Sequence, residues 1–162
     1  MPAMTDCLRR GADAESLRFP GGTVMHLLAE EVGATTRFSA HRSVFSAGAE
    51  GARPHHHEHT THLLFVVAGA LDLLVGEHVV RVESGDVAVI PPGVTHAFRA
   101  APDSEADLFD VVTPGRSFDM FRQYAVAAGN RSIGPSAAPA EFDTYADDRP
   151  DWAVTQTIGD RS

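Results

Sequence analysis

The chain has 162 residues, 43% of them hydrophobic and 22% charged, which is usual for one soluble globular domain. Its formal net charge of −9 argues against nucleic acid as a partner, because phosphates require clustered basic side chains. All 13 basic residues are arginine, which excludes lysine Schiff-base chemistry. One cysteine, Cys7, allows no internal disulfide. Without a visible signal peptide or membrane-spanning run, we expect a cytoplasmic protein that does not bind membranes.

The first part of the chain predicts a loose arm followed by an all-β domain. Residues 1–18 are polar and rich in glycine and alanine, and they predict a flexible N-terminal arm. Short β-type runs separated by glycine and proline turns then predict a barrel or sandwich over residues 19–115. The predicted strands are 23–28, 36–45, 53–57, 62–67, 71–75, 78–82, 87–90, 96–99 and 108–112. Gly76-Glu77 is predicted to form a two-residue hairpin loop.

The hydrophobic period changes after residue 115. Phe118, Phe121 and Tyr124 recur at helical spacing, which predicts an amphipathic helix within 116–130 that packs on the barrel. Ser117 is the predicted N-cap, and Gly129-Asn130 is the predicted stop. Residues 131–162 predict an irregular tail with a short helix near 140–145. This tail could cover the barrel mouth, contact a partner subunit or remain free.

A histidine-rich stretch carries the strongest functional signal. Five of the nine histidines lie between His55 and His62. Residues i and i+2 of a strand point to the same side, so His55 and His57 can bind one ion together. Neutral imidazole is the commonest metal ligand among side chains. His56 is expected to face outward and His59 to lie exposed in a turn, although His59 could also be a fifth ligand or a general base.

Two motifs lie in order along the chain, His55-x-His57-x4-His62-x6-Gly69 and Gly85-x5-Pro91-x-Gly93-x2-His96. Together they resemble the two motifs of the cupin superfamily. The resemblance covers about residues 36–113 and implies a jelly-roll barrel, the double-stranded β-helix, with one metal centre. The implied metal ligands are His55, His57, His62 and His96. The turns support this set, because glycine at 85 and 93 suits positive φ and Pro91 pre-sets the turn before the last histidine.

Three positions depart from the family pattern. The usual acidic ligand position is His62, Ala49 stands where the first motif would begin with glycine, and Ala100 replaces a frequent asparagine. Four neutral imidazoles would leave the full charge on a divalent ion and make it a stronger Lewis acid. An all-nitrogen set suits a transition metal: zinc first, with iron, nickel or copper as alternatives.

Two groups of enzymes within the family resemble this chain, one in its metal ligands and one in its barrel and helix. One is the four-histidine polyketide cyclase type, which implies that the metal polarises an enol or ketone for ring closure. The other is the quercetinase-like or diketone-type dioxygenase, which shares a small barrel followed by a Phe-rich helix. A non-catalytic, metal-loaded binding protein and a relic site without metal are the further alternatives. The expected partner is a small molecule with enol, phenol or ketone groups, and the expected assembly is a homodimer.

The remaining histidines and the apolar neighbours of the motif receive simpler interpretations. His26, His41 and His78 are interpreted as surface or packing residues. Leu64, Val66 and Phe98 are expected either to line an apolar pocket around the ion or to form plain barrel core. The general base stays unidentified.

Overall fold

The computed structural model describes residues 8–30, 38–115, 118–127, 142–149 and 151–152. Within these ranges the fold is mostly antiparallel β-sheet with one short helix, which confirms the predicted all-β class. A one-turn 3-10 helix, Gly11–Asp13, precedes the strands. The elements in chain order are β1 (Glu15–Phe19), β2 (Thr23–Glu30), β3 (Ser39–Phe45), β4 (His55–His56), β5 (Thr61–Val75), β6 (His78–Glu83), β7 (Val87–Ile90), β8 (His96–Ala100), β9 (Ala106–Thr113), α1 (Asp119–Ala127) and β10 (Tyr145–Ala146).

Strand β5 organises the barrel because it belongs to both of its sheets. Its first half pairs with β7 and β9, and its second half pairs with β6 and β8. The sequence predicted two strands divided by a turn at Gly69-Ala70, and this prediction is wrong. Gly69 has φ of 73° and bends one continuous strand, and the pairing register with β9 shifts just before it. The bend lets one 15-residue strand pass from one sheet to the other.

The inner faces of the sheets form an apolar core at one end of the barrel. Alternate residues of β9 are buried, as expected for strands with one face toward the core. The core residues include Phe45, Leu64, Leu71, Leu73 and Leu108. Leu64 therefore belongs to the barrel core, as does Val66. The histidines lie beyond this cluster, where Phe45 lines both the core and the cavity described below.

The N-terminal prediction needs correction. Strand β1 covers residues 15–19 and pairs antiparallel with β2, so the end of the predicted flexible arm is part of the sheet. Phe19 is buried at its end, and this anchoring apolar side chain explains the pairing. Residues 1–7 lie outside the described residues.

The C-terminal part is partly as predicted. Helix α1 forms within the predicted 116–130 segment, and Phe118 and Met120 at its start are buried. The predicted cap at Ser117 and stop at Gly129-Asn130 lie outside the described residues. Of the short helix predicted near 140–145, residues 140 and 141 lie outside the described residues, Phe142 has 3-10 conformation, and Tyr145–Ala146 instead forms β10 against β4. None of the helices in the described ranges has the length and apolarity needed to cross a membrane.

Candidate metal centre

Three buried histidines converge at one end of the barrel. His55 lies on β4 and is the direct partner of His96 on β8, while His57 follows β4 by one residue. Each of the three offers a ligand nitrogen within 4.8 Å of the other two. The strand pairing and the i, i+2 spacing thus bring together the histidines of both sequence motifs.

Hydrogen bonds to backbone carbonyls orient these three rings. Nδ1 of His55 donates to the Arg53 carbonyl at 2.6 Å, and Nδ1 of His96 donates to the Val94 carbonyl at 3.0 Å. Nδ1 of His57 donates to the Asp143 carbonyl at 2.6 Å. A proton held at Nδ1 leaves Nε2 as the basic nitrogen, which is the usual arrangement of metal-ligating histidine. The residues therefore fit a bound transition metal.

Burial keeps the first of these ligands neutral. Desolvation lowers the pKa of His55 well below its ordinary value, and the neighbouring His96 and His57 lower it further. A neutral imidazole can bind a metal without first losing a proton.

His62 lies beside the triad but is not part of the closest set. Its ring stacks on that of His57, with 4.8 Å between centroids and an interplanar angle of 17°. The three histidines whose ligand nitrogens all lie within 4.8 Å of one another do not include it. Its Nε2 is buried without a hydrogen-bond partner among the described residues. His62 therefore stays a predicted fourth ligand, while His55, His57 and His96 form the observed cluster.

A buried carboxylate, which the two sequence motifs did not indicate, lies behind His62. Nδ1 of His62 donates to Oδ2 of Asp110 at 2.9 Å, and Asp110 is only 2% exposed. Burial raises the pKa of Asp110, but the charge and hydrogen bond of His62, with a smaller contribution from His41, lower it below the ordinary value overall. The negative charge that the family usually places in the ligand position is therefore present one hydrogen bond further out.

His41 also belongs to this site, contrary to its interpretation as a surface or packing residue. It is 3% exposed and lines the same cavity as the metal-ligand candidates. Its Nε2 lies 3.5 Å from Oδ2 of Asp110. A signal was present in the sequence: Ser39, His41 and Ser43 alternate along β3, and all three are buried. Polar residues at inward positions of a barrel strand indicate a functional wall rather than core.

The C-terminal segment 142–147, here called the strap, binds the loops that carry the histidines. The Asp143 carboxylate accepts hydrogen bonds from the backbone N–H of Glu58 at 2.8 Å and of His59 at 3.1 Å, and from the Thr60 hydroxyl at 2.7 Å. The Asp143 carbonyl also holds His57, as described above. One residue of the tail therefore fixes both a candidate ligand and the turn that follows it.

Asp147, also in the strap, binds β4 and the residue that precedes β8. Its carboxylate accepts from Nδ1 of His56 at 3.0 Å and from the Thr95 hydroxyl at 2.8 Å. His56 and Thr95 are the sequence neighbours of His55 and His96, and His56 also stacks on Tyr145 of the strap, with centroids 5.3 Å apart. His56 thus takes no part in the cluster of His55, His57 and His96, and its ring contacts the strap.

The other histidines lie away from the cluster. The His59 side chain is 79% exposed, which confirms its prediction as an exposed turn histidine. His78 is exposed in the β5–β6 hairpin. His26 lies near the surface, where Nδ1 is 2.8 Å from the Ser16 hydroxyl.

The cavity beside the histidines is small and mostly apolar. Its volume is about 90 Å³. Phe45 and Phe98 line it from the barrel, and Met120, Phe121 and Tyr124 line it from α1. Phe98 was expected either to line an apolar pocket or to form barrel core, and the structure shows that it lines the pocket. The helix forms one wall of the cavity.

Comparison with known proteins confirms the predicted cupin fold. Residues 41–112 match the family model described as the cupin domain. Among curated proteins, none matches the sequence significantly. The chain is similar to KdgF from a Halomonas species, with 24% identity, a TM-score of 0.60 and coverage of 70% of this chain and 96% of KdgF.

Two other solved structures are similar over comparable lengths. An RmlC-like cupin from Shewanella frigidimarina has 27% identity and a TM-score of 0.57, with 67% of this chain and 90% of that chain covered. The polyketide cyclase RemF from Streptomyces resistomycificus has 22% identity and a TM-score of 0.55, with 70% and 80% covered. Because these neighbours differ in kind, the likeness establishes the fold and leaves the reaction to the site.

Proposed function

We propose, from the premise that this chain belongs to the cupin superfamily, that it is a metal-dependent enzyme of small-molecule metabolism. His55, His57 and His96 would hold one divalent transition metal, zinc first among the candidates, with His62 as the fourth ligand. When bound, the metal supplies Lewis-acid polarisation of a ketone, enol or phenol oxygen.

The observation that carries this proposal is the orientation of the three buried imidazoles. Each has Nδ1 fixed on a backbone carbonyl, and the three carbonyls belong to three separate segments of the chain. Histidines that merely fill a core do not need this common tautomer. The partners of Nδ1 usually orient the ring and raise its basicity toward a metal.

The cavity and its walls suit a carbonyl compound with apolar parts. Phe45, Phe98 and Phe121 exclude water beside the histidines and would contact apolar parts of the substrate. We propose cyclisation of a ketone-bearing chain, such as the ring closure of an aromatic polyketide, as the reaction. RemF, a polyketide cyclase of the same fold, provides the analogy, and at 22% identity it is only an analogy.

Cavity size limits what the site can enclose. A volume of about 90 Å³ is well below the ~300–1,000 Å³ of sites that enclose a drug-sized ligand. The site would therefore hold the reacting end of a larger substrate, with the rest outside or with the α1 wall displaced.

The first experiment measures the metal. Untagged protein is analysed for transition metals, and about one equivalent per chain is expected. A double variant, His55→Ala with His96→Ala, should lose the metal, whereas His78→Ala, which changes an exposed histidine, should retain it. Wild-type protein that neither contains nor takes up zinc, iron, nickel or copper would overturn the proposal.

The second experiment separates cyclase-like from dioxygenase chemistry. Metal-loaded protein is mixed with the 1,3-diketone acetylacetone and with a flavonol in an oxygen electrode. The proposal expects no metal-dependent oxygen uptake with either compound. Stoichiometric uptake would instead assign the chain to the diketone or quercetinase-like dioxygenases.

A further inference from the structure

We propose that His41 is the catalytic residue that removes the substrate proton, and that Asp110 is the residue that positions it. This inference rests on the proposed function, because a proton is acidic enough to remove only beside a polarised carbonyl. Neither residue belongs to the two motifs from which the metal site was predicted.

Strand register places the two residues together and beside the metal ligands. His41 on β3 is the direct partner of Asp110 on β9. Strand β9 also pairs with β5, where His62 donates to the same carboxylate oxygen, Oδ2. The direct partner of Asp110 on β5 is Leu64, and His62 lies two residues before it. The Asp110 carboxylate on the middle strand thus joins His41 to His62, the predicted fourth ligand.

The hydrogen-bonding state of His41 is that of a base. Its Nε2 faces Asp110 Oδ2 at 3.5 Å, which favours the tautomer with the proton on Nε2. Its other nitrogen, Nδ1, is buried without a hydrogen-bond partner in the part of the chain that the structure describes. A buried polar atom without a partner costs about 1–3 kcal/mol. A purely structural histidine would satisfy this atom, whereas a base needs its lone pair unpaired until substrate arrives.

Packing and charge suit the same role. The Phe121 ring of α1 lies 4.8 Å from the His41 ring, centroid to centroid, and restrains its orientation. Desolvation lowers the pKa of His41 below its ordinary value, with a smaller lowering from His62 and an opposing rise from Asp110. His41 is therefore neutral near pH 7 and able to accept a proton, and the Asp110 carboxylate stabilises the imidazolium once it forms.

The chemical step balances without any further reactant. The C–H bond next to the polarised carbonyl breaks, and its electron pair forms the enolate. The proton moves to Nδ1 of His41. After the new C–C bond forms, the imidazolium returns this proton to the alkoxide of the ring-closed product, so no electrons enter or leave.

The test uses enolisation alone, so it does not require the natural substrate. Hydroxyacetone, a small chelating ketone, is incubated in D2O with zinc-loaded protein, and the loss of its C–H signals is followed by proton NMR. We expect zinc-dependent exchange in wild-type protein. His41→Gln should slow it by about 100-fold or more, the usual contribution of a general base. Bound zinc should stay at the wild-type level in this variant.

Two controls distinguish a missing base from a damaged wall. His78→Gln, at an exposed histidine, should exchange at the wild-type rate. His41→Ala should be slow but should recover when free imidazole is added, since the small base can enter the space left by the side chain. Asp110→Asn should lower the exchange rate and should shift its dependence on pH, because the carboxylate that stabilises the imidazolium is lost.

The outcomes separate this inference from the proposed function. His41→Gln protein that binds zinc and exchanges at the wild-type rate would overturn the role of His41. Zinc-loaded wild-type protein without exchange would also overturn it, while leaving the metal centre in place. Protein that binds no metal would refute the proposed function itself.

Discussion

The strap makes a strong prediction, because a residue of the C-terminal segment holds a candidate metal ligand. Asp143→Gly removes the carboxylate that binds the 58–60 turn through three hydrogen bonds. Glycine is the proper replacement because Asp143 has φ of 50°, where alanine would add left-handed strain. The His57 imidazole would then lose the fixed position of its carbonyl partner.

The expected effect follows from the size of these interactions. Hydrogen bonds to a charged group contribute about 1.5–3 kcal/mol each, and partly exposed ones contribute less. Only the part of this energy that holds His57 in position affects metal binding. Removing such outer partners of a ligand typically weakens metal binding about 10–100-fold. That range corresponds to about 1.4–2.7 kcal/mol. We therefore expect the zinc dissociation constant to rise by about 10–100-fold.

The measurement is a competition titration of zinc against a chromophoric chelator. Asp148→Gly is the matched control, because it removes a carboxylate and adds a glycine directly after the strap, and it should bind zinc within about threefold of wild type. Unfolding of the metal-free variants shows whether either has lost its fold. If Asp143→Gly binds zinc as tightly as Asp148→Gly does, the strap has no role in the metal site.

Three further predictions concern stability. Zinc at about 1,000 times its dissociation constant should stabilise the fold by about 4 kcal/mol, so chelation should lower Tm by roughly 8–16 °C in a thermal scan; an unchanged Tm would contradict binding to the folded state. Gly69→Ala should lower the free energy of unfolding in urea by more than about 2 kcal/mol, because its Cβ would lie 1.8 Å from the Glu105 carbonyl oxygen. The control Gly11→Ala meets no atom within 4 Å and should change this free energy by no more than about 0.5 kcal/mol. Leu73→Ala should lower the free energy of unfolding by about 2–5 kcal/mol, whereas Val126→Ala should change it little because Val126 is 83% exposed. Equal losses in the two variants would show that Leu73 is not part of the core.

The sequence predicted those parts of the site that depend on local spacing. Alternation along a strand places His55 and His57 on one side, and a Pro-Gly turn precedes His96. These relations span a few residues, and the positive φ of 79° at Gly93 confirms the predicted turn. Gly69 shows the limit of the same reasoning, because glycine with positive φ ends a strand at a turn or bends it, and only the pairing partners decide which.

The parts that the sequence did not predict depend on contacts between distant segments. His62 and Asp110 are 48 positions apart, and His57 and Asp143 are 86 apart. No periodicity carries such information, because the barrel closure that joins the segments is set by the pairing of all strands together. His41 and Asp110 left a weaker trace as polar residues at inward positions of apolar strands. That trace indicates a functional wall but not its partner.

The buried carboxylate of Asp110 explains why position 62 is a histidine. The resembling family usually has an acidic ligand at this position, and here such a residue would face Asp110 across a 2.9 Å contact. His62→Glu should therefore place two buried carboxylates together and destabilise the metal-free protein by about 3–5 kcal/mol in urea unfolding. His62→Gln, of similar size but neutral, should cost clearly less. Adding Asp110→Asn to His62→Glu should restore at least about 1 kcal/mol, because the like-charge contact is removed. Additive losses in the double variant would mean that the two positions are independent and that Asp110 does not replace the family's acidic ligand.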